Sequence, residues 1–501
     1  MKNAFSLLHI LALVSLGPVQ ADDFSFSHEN VLGTSLELTL TCEDPETAKQ
    51  AEQQILTEID RLSEIFSHYS ATSELSRFCK LPAGSVTSIS PELSRLLCRC
   101  EEWTRVSHGA FNPSVEVMSQ QWKQAARTGT APAANELANL VKRAAQRQWQ
   151  VQVESHRATR LSTEPLSLNA IAKGTILDLA TLRVQQQFSD IHAMMINIGG
   201  DILVVGDHDH RVVIPNPDRD TVNAAPLIEL NLRNQAIATS GSSERFLRIG
   251  PKKYSHIIDP RSGIPCEQIA SASVIASDAE TADVLATICC VLPPQDSIAL
   301  IESLPFTACC LVTSSGSLLV SGGWPVEVNQ EPAAKAEKEA TPKGPSTPHD
   351  FLVEFEIAKP EQGGRYRRPY VAVWVEDNDG FPVKTLSLFL MSDNPGPRWH
   401  RDLRRWYSSD QVRQLVDETK LIGTISKPSR NPGKYKVSWD GTDDLGQLLK
   451  DGTYTLYIEA AREHGTYQLM KQPLELGKED YKHTLKGNVE IGSASVTYHR
   501  K

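Results

Sequence analysis

Residues 31–41 (VLGTSLELTLT) alternate apolar and polar side chains, the two-residue period of a strand with one buried face. The period changes over 43–66. There Ala48, Ala51, Ile55, Ile59 and Leu62 recur at three- and four-residue steps, which predicts an amphipathic helix. Ser90-Pro91-Glu92 starts a second helix, a capping residue followed by proline in the first turn, with Leu93, Leu96, Leu97, Cys100 and Trp103 as its apolar stripe. Residues 149–154 and 195–206 read as strands, and 174–188 and 279–291 as helices. A mixed α/β domain is expected from this alternation.

Beyond residue 350 the pattern is of a different kind. Short alternating runs at 351–357, 370–375, 385–391, 435–439, 453–460 and 494–498 are separated by Gly, Pro and Asp clusters, which predicts an all-β, sandwich-like domain. Asp440-Gly441 and Asp451-Gly452 are turn signals, and 439–454 (WDGTDDLGQLLKDGTY) resembles the hairpin of immunoglobulin-like domains. Between the two regions, 331–348 (EPAAKAEKEATPKGPSTP) contains no Leu, Ile, Val, Phe, Trp or Tyr. Such a stretch cannot bury enough apolar surface to offset the entropy of ordering it. The expected organisation is a large domain over 24–328, a disordered linker over 329–349 and an accessory domain over 350–501.

The N-terminus adds an address. Lys2 precedes an apolar stretch at 4–17 (AFSLLHILALVSLG), and Val19-Gln20-Ala21 offers small residues for cleavage. A signal peptide over 1–21 is expected, giving an exported, periplasmic protein whose mature chain has no transmembrane segment. Of the 501 residues, 40% are hydrophobic and 22% charged, an ordinary globular balance that excludes wholesale disorder. The net charge of −10 argues against a nucleic-acid binder, which needs a basic face. Nine cysteines all precede residue 311, without zinc-ligand spacing, and the pairs 289–290 and 309–310 lie in apolar runs as buried thiols.

Four segments of the large domain carry chemistry. Residues 168–178 (LNAIAKGTILD) run a small-residue stretch through Lys173-Gly174 into a helix, where a helix start and an ammonium favour anionic groups. Residues 197–201 (NIGGD) end an apolar strand with two glycines and present Asp201. Residues 238–241 (ATSG) are followed by 254–265 (YSHIIDPRSGIP), with His256 and Asp259 about an apolar pair. In 282–287 (ADVLAT), Asp283 and Thr287 stand four apart on a predicted helix, so both oxygens project from one face. A carboxylate, a hydroxyl and a carbonyl are hard ligands suited to Mg²⁺. Each segment alone also fits an ordinary turn, loop or helix face.

Taken in order with 73–78 (SELSRF) and 109–115 (GAFNPSV), these motifs make residues 28–325 resemble the FAD:protein FMN transferases, the ApbE-type flavin transferases. The small domain resembles a β-rich domain of unknown function fused to such enzymes. The resemblance implies Mg²⁺-dependent transfer of FMN from FAD to a Thr or Ser hydroxyl of an acceptor protein, such as a membrane redox-pump subunit, with release of AMP. It implies a metal held by the Ala170 carbonyl, Asp283 and Thr287. FAD would lie against Leu32, Tyr69, the Ala110-Phe111-Asn112 segment, Ser167, Lys173 and Ile257, with Gly200, Asp201 and Ser240 close by. His256 is the candidate general base. The family usually carries Met at the position of Leu32, Gly or Ser at Asn169, and Asp at Asn112 and Ser167. Two other readings of the same site are an FAD diphosphate hydrolase giving FMN and AMP, and a non-catalytic flavin-binding protein.

Overall fold

The structure, a computed structural model, describes residues 21–325 apart from 215, 218–220, 222, 224–226 and 242–245, and residues 347–501 apart from 360–367, 392–395, 418–420 and 463–465. The leader expected over 1–21 and the linker expected over 329–349 therefore fall almost wholly outside the described residues.

Among the described residues the large domain is built on an eight-stranded sheet: β1 (Asp22–Val31), β2 (Thr34–Cys42), β3 (Ala193–Ile198), β4 (Asp201–Gly206), β5 (Gln235–Gly241), β6 (Ile269–Ala276), β7 (Ala308–Thr313) and β8 (Leu318–Val320). The strands lie side by side in chain order, and each neighbouring pair is antiparallel. Helices α1 (Pro45–Phe66), α2 (Pro91–Val106), α3 (Glu116–Thr128), α4 (Ala134–Ala144), α5 (Ala172–Gln187) and α6 (Ala279–Val291) are inserted between strands. Helix α1 begins where the Asp44 carboxylate accepts the N–H groups of Glu46 and Thr47, with Pro45 in the first turn.

Alternation along the strands decides what each face meets. Leu36, Leu38 and Leu40 of β2 share one core with Ile55, Ile59 and Leu62 of α1, Ile176 and Leu177 of α5, and Leu285 and Ile288 of α6. Each such side chain stabilises the fold by roughly 1.5–3 kcal/mol. Ile202, Val204, Ile237, Ile275 and Cys310 point the other way, under the two-stranded ribbon of His210–Ile214 and Ile228–Leu232. Helix α6 is buried on almost every side, which explains why its sequence is apolar apart from Glu280, Thr281, Asp283 and Thr287.

The run 31–41 is not one strand. It breaks at Leu32 and Gly33, with φ of +50° and +80°, into the tight β1–β2 hairpin. Likewise 195–206 is a hairpin closed by Gly199 and Gly200, whose φ values of +61° and +97° suit glycine.

The small domain forms β9 (His349–Ile357), β10 (Tyr370–Glu376), β11 (Pro382–Phe389), α7 (Arg404–Asp417), β12 (Gly433–Trp439), β13 (Gly452–Ala461), β14 (Tyr467–Leu476), β15 (Tyr481–Lys486) and β16 (Ile491–Arg500). One sheet runs β12-β9-β16-β15, and the other runs β11-β10-β13-β14 with Ser426–Lys427 beside β11. Phe351, Phe355 and Val496 of the first sheet share a core with Val373, Leu456 and Ile458 of the second, as a sandwich requires. Of the hairpin expected over 439–454 only a short inner part forms, with Thr442 bridged antiparallel to Leu448 and the Leu449 N–H donating to the Gly441 carbonyl, and the flanking strands do not pair with each other. Strand β12 pairs with β9 and β13 pairs with β10 and β14, so the connection crosses from one sheet to the other. Turn residues report a reversal of the chain, not the sheet that the next strand joins.

Candidate functional site

Helices α5 and α6 meet where α5 could not tolerate a larger residue. A Cβ on Gly174 would lie 2.1 Å from the Ala279 carbonyl oxygen, so the two backbones touch at that glycine. The contact sets the first turn of α5 against the first turn of α6. No side chain of its own caps α5 at Ile171. Instead the Gly174 N–H donates to Asp283 Oδ2 at 3.1 Å. Helix α6 is capped with carboxylates too: Asp178 accepts from Ala279 N–H (2.8 Å) and Glu280 N–H (2.9 Å), and Asp278 from Thr281 N–H (2.8 Å). Asp178 escaped notice in the sequence, although it closes the 168–178 segment.

Asp283 and Asp201 are 3% and 2% exposed, and Lys173, whose ammonium pairs with Asp201, is 34% exposed in its side chain. The helix start and lysine therefore do not stand open for an anion as the sequence suggested. Lys173 is engaged by Asp201 and the Gly174 N–H by Asp283. Burial, and then repulsion from Asp201, push the Asp283 carboxyl up to about 7 despite Lys173. Burial likewise raises Asp201. This corner holds more negative charge than its lysine balances.

One turn along α6, Thr287 Oγ1 lies 3.2 Å from Ser240 Oγ at the end of β5. The Cys290 thiol donates to the Ser240 carbonyl at 3.4 Å and holds that strand end against α6. Ala170, Lys173, Ser240 and Thr287 are all half-buried, whereas Asp201 and Asp283 lie beneath them. The donors present are therefore a buried carboxylate, a hydroxyl and a carbonyl. Among the described residues no three His, Cys, Asp or Glu side chains cluster as a metal cage. A cation here would rely on mixed oxygen donors, and the charge excess of the corner fits a divalent one.

The other expected contacts form separate groups. Asn169 Nδ2 donates to Tyr69 Oη at 2.9 Å, and Ser167 Oγ accepts the Asn169 N–H. Ala110 and Phe111 are buried, and the Ser167 N–H donates to the Pro113 carbonyl at 2.9 Å. Asn112 is used by the backbone: Oδ1 accepts the Ser114 N–H at 2.8 Å, and Nδ2 donates to the Ala144 carbonyl at 3.2 Å. An aspartate could make the first bond but not the second, a physical reason for the amide here. Leu32 packs on the main core from its turn, and the Gly200 N–H donates to Asn197 Oδ1 at 3.0 Å.

His256 is exposed, just past the strand Lys252–Ser255. The loop after it is pinned at several points. The Ile257 N–H donates to Ser255 Oγ and the Ile257 carbonyl accepts the Cys266 N–H. Asp259 holds Arg261 through both carboxylate oxygens, and Trp122 Nε1 of α3 donates to the Gly263 carbonyl at 2.8 Å. The motif 73–78 is structural: Ser73 Oγ caps the helix Glu74–Cys79, and Glu74 Oε1 accepts the Ser90 N–H.

A model of the ApbE family matches residues 32–332, and one described as "Predicted periplasmic protein (DUF2271)" matches residues 350–493. The chain is 29% identical over 246 residues to the FAD:protein FMN transferase of Chlamydia muridarum (strain MoPn / Nigg), covering 48% of this chain and 75% of that one. It is 30% identical over 266 residues to the FAD:protein FMN transferase of Rhodobacter capsulatus, covering 50% of each, so it spans half the length of that relative. Among solved structures, the ApbE protein of Thermotoga maritima superposes with a TM-score of 0.53 at 22% identity, over 60% of this chain and 97% of that one. The apo flavinyl transferase ApbE of Pseudomonas stutzeri gives 0.51 at 21% identity, over 60% and 96%. At these identities the superpositions establish a shared fold.

Proposed function

The chain belongs to the ApbE family, and on that premise we propose that it is an FAD:protein FMN transferase, an enzyme that moves FMN from FAD to a Thr or Ser hydroxyl of an acceptor protein and releases AMP. In this reaction the hydroxyl oxygen bonds to the FMN-side phosphorus as the bridging P–O bond breaks. The bond electrons leave with AMP, and the hydroxyl proton passes to a base. The observation that carries the reading is the pair of buried carboxylates, Asp283 and Asp201, held at the start of α5 with Lys173 as their cationic partner.

Asp283, Thr287 and the Ala170 carbonyl would hold Mg²⁺. Bound there, the ion would supply positive charge to the diphosphate oxygens of FAD and to the phosphate of departing AMP. Asp201 fixes the Lys173 ammonium at the same corner, so its charge is positioned before substrate arrives. The flavin nucleotide would be bound and oriented by Leu32, Tyr69, Ala110, Phe111, Asn112, Ser167, Gly200, Ser240 and Ile257. His256 stands exposed on a pinned loop, open to a macromolecular acceptor, and would take the hydroxyl proton at an imidazole nitrogen.

Export to the periplasm is supported by the leader pattern at residues 1–21 and by the description of the family matched by the small domain. Among the described residues no helix is long and apolar enough to cross a membrane. The acceptor would be a membrane redox-pump subunit or another protein with an FMN-attachment domain. The test is mass spectrometry of such an acceptor after incubation with the protein, FAD and Mg²⁺. A gain equal to FMN less water, lost in EDTA, is expected. Free FMN without an adduct would make the protein a hydrolase, and bound FAD without AMP would make it a carrier.

A further inference from the structure

Tyr69 is 72% exposed, yet its ring is held at two points. Its hydroxyl accepts a hydrogen bond from Asn169 Nδ2 at 2.9 Å. Its face lies on the imidazole of His68, with ring centroids 3.8 Å apart and planes inclined by 40°. His68 itself is covered, with 12% of its side chain exposed, and lies 3.9 Å from Glu116 Oε2 through Nε2. Glu116, on α3, is buried. Its Oε1 accepts from Gln120 Nε2 at 3.3 Å and pairs with Lys123 at 3.6 Å. His68 Nδ1 is buried without a hydrogen-bond partner. The backbone is fixed as well, because Ser67 Oγ accepts the N–H groups of Tyr69 and Ser70.

An aromatic ring left mostly in water gains little from being tied at both face and hydroxyl. The arrangement makes sense if the ring must already be in place when a planar ligand arrives, since a fixed ring loses less freedom on binding.

We infer that His68, held against Glu116, is a positioning residue that sets Tyr69 and Asn169 as a rigid wall for a planar heterocycle of the substrate. This inference rests on the transfer reading, with the isoalloxazine and the adenine of FAD as the two rings of suitable chemistry. Burial holds the imidazole below its ordinary range, Lys123 acts in the same direction and Glu116 and the Asn169 side chain oppose them, so the ring is neutral near pH 7 and packs as an uncharged plane.

The experiment compares the wild-type chain with His68→Ala and His68→Phe by titration with FAD, FMN and AMP separately, and by the rate of AMP release at saturating FAD. His68→Ala is expected to weaken FAD binding about three- to tenfold, the worth of one aromatic contact, with the saturated rate within about twofold. His68→Phe keeps a ring under Tyr69 and is expected to restore the affinity. The mononucleotide whose binding falls with His68→Ala identifies the ring that Tyr69 faces. Unchanged affinity for all three, or an equal loss with His68→Phe in chains that melt like wild type, overturns the inference alone. A wild-type chain that binds none of the three overturns the transfer reading and the inference together.

Discussion

In the small domain, Asp410 is buried with Arg413, both 1% exposed, and accepts bonds from its Nε at 3.0 Å and from Gln414 at 2.6 Å. Glu376 accepts from Trp374 Nε1, Ser409 and Arg405, and Glu459 takes the N–H groups of Arg405 and Trp406 at the start of α7. In the large domain, Asp283 and Asp201 are as deeply buried, but they share one lysine, and Asp283 titrates near 7. Burying a carboxylate is costly unless donors or a cation satisfy it. The small domain supplies those partners from within and closes the account of charge. The large domain leaves charge unbalanced beside half-buried hydroxyl and carbonyl oxygens. What sets the corner apart is its ratio of two carboxylates to one ammonium, since Asp283 and Asp201 each also accept a hydrogen bond.

The largest effect that would sharpen this contrast is Asp283→Asn. It should lower FMN transfer by about 10³-fold or more, about 4 kcal/mol of transition-state stabilisation, and leave the melting temperature unchanged or raised because repulsion from Asp201 is relieved. Acceptor mass gain and a thermal melt together check it. Normal transfer by this variant would break the comparison.

Arg413→Ala should act the opposite way. Leaving Asp410 buried without its cation should destabilise the small domain by about 3 kcal/mol, the low end for a broken buried pair because Gln414 still donates. Transfer per folded molecule should stay unchanged. Denaturant titration of the whole chain measures the first outcome, and acceptor labelling below the transition measures the second.

The smallest effect concerns pH. His349 is buried in β9 with Nδ1 2.9 Å from Tyr498 Oη, and burial holds its imidazole below the ordinary range. The unfolded chain then binds a proton near 6.5 that the folded chain does not. Stability conferred by the neutral ring is present above that value and declines as pH falls through the window below it. Melting temperatures taken from pH 7.5 down to 5 should fall, and His349→Gln should flatten the decline.

Much of the fold was legible because burial leaves a period. The amphipathic body of helix α1 and the span of α6 follow from the sequence pattern, and the start of α2 from its Ser90-Pro91 cap. Strand β1 was not read, although Phe24 and Phe26 alternate within it, because its other residues before Val31 are polar. Strands β5, β6, β7, β8, β14 and β15 and helices α3, α4 and α7 were not read either. Strand β14 contains Pro473 and α7 crowds Arg and Ser into its first two turns, which weakens the local pattern. The expected hairpin at 439–454 stops at its inner bridge, Thr442 to Leu448, for a related reason. The turn residues were read correctly as a reversal, but strand partnership is a property of two sheets, not of one loop.

By itself the sequence determined the two-domain pattern, the buried helix α6 and the four-residue step that aligns Asp283 with Thr287, since periodicity and helical pitch are local. It also carried the family resemblance through short motifs whose order survives without any structure. Tertiary structure alone decided that Asp283 meets the Gly174 N–H across 109 residues, that Asp201 claims Lys173, and that His68 lies under Tyr69 beside Glu116. The physical reason is that a residue's period records which way its side chain faces, whereas its partners depend on where distant backbones can approach, as α5 and α6 do at a single glycine.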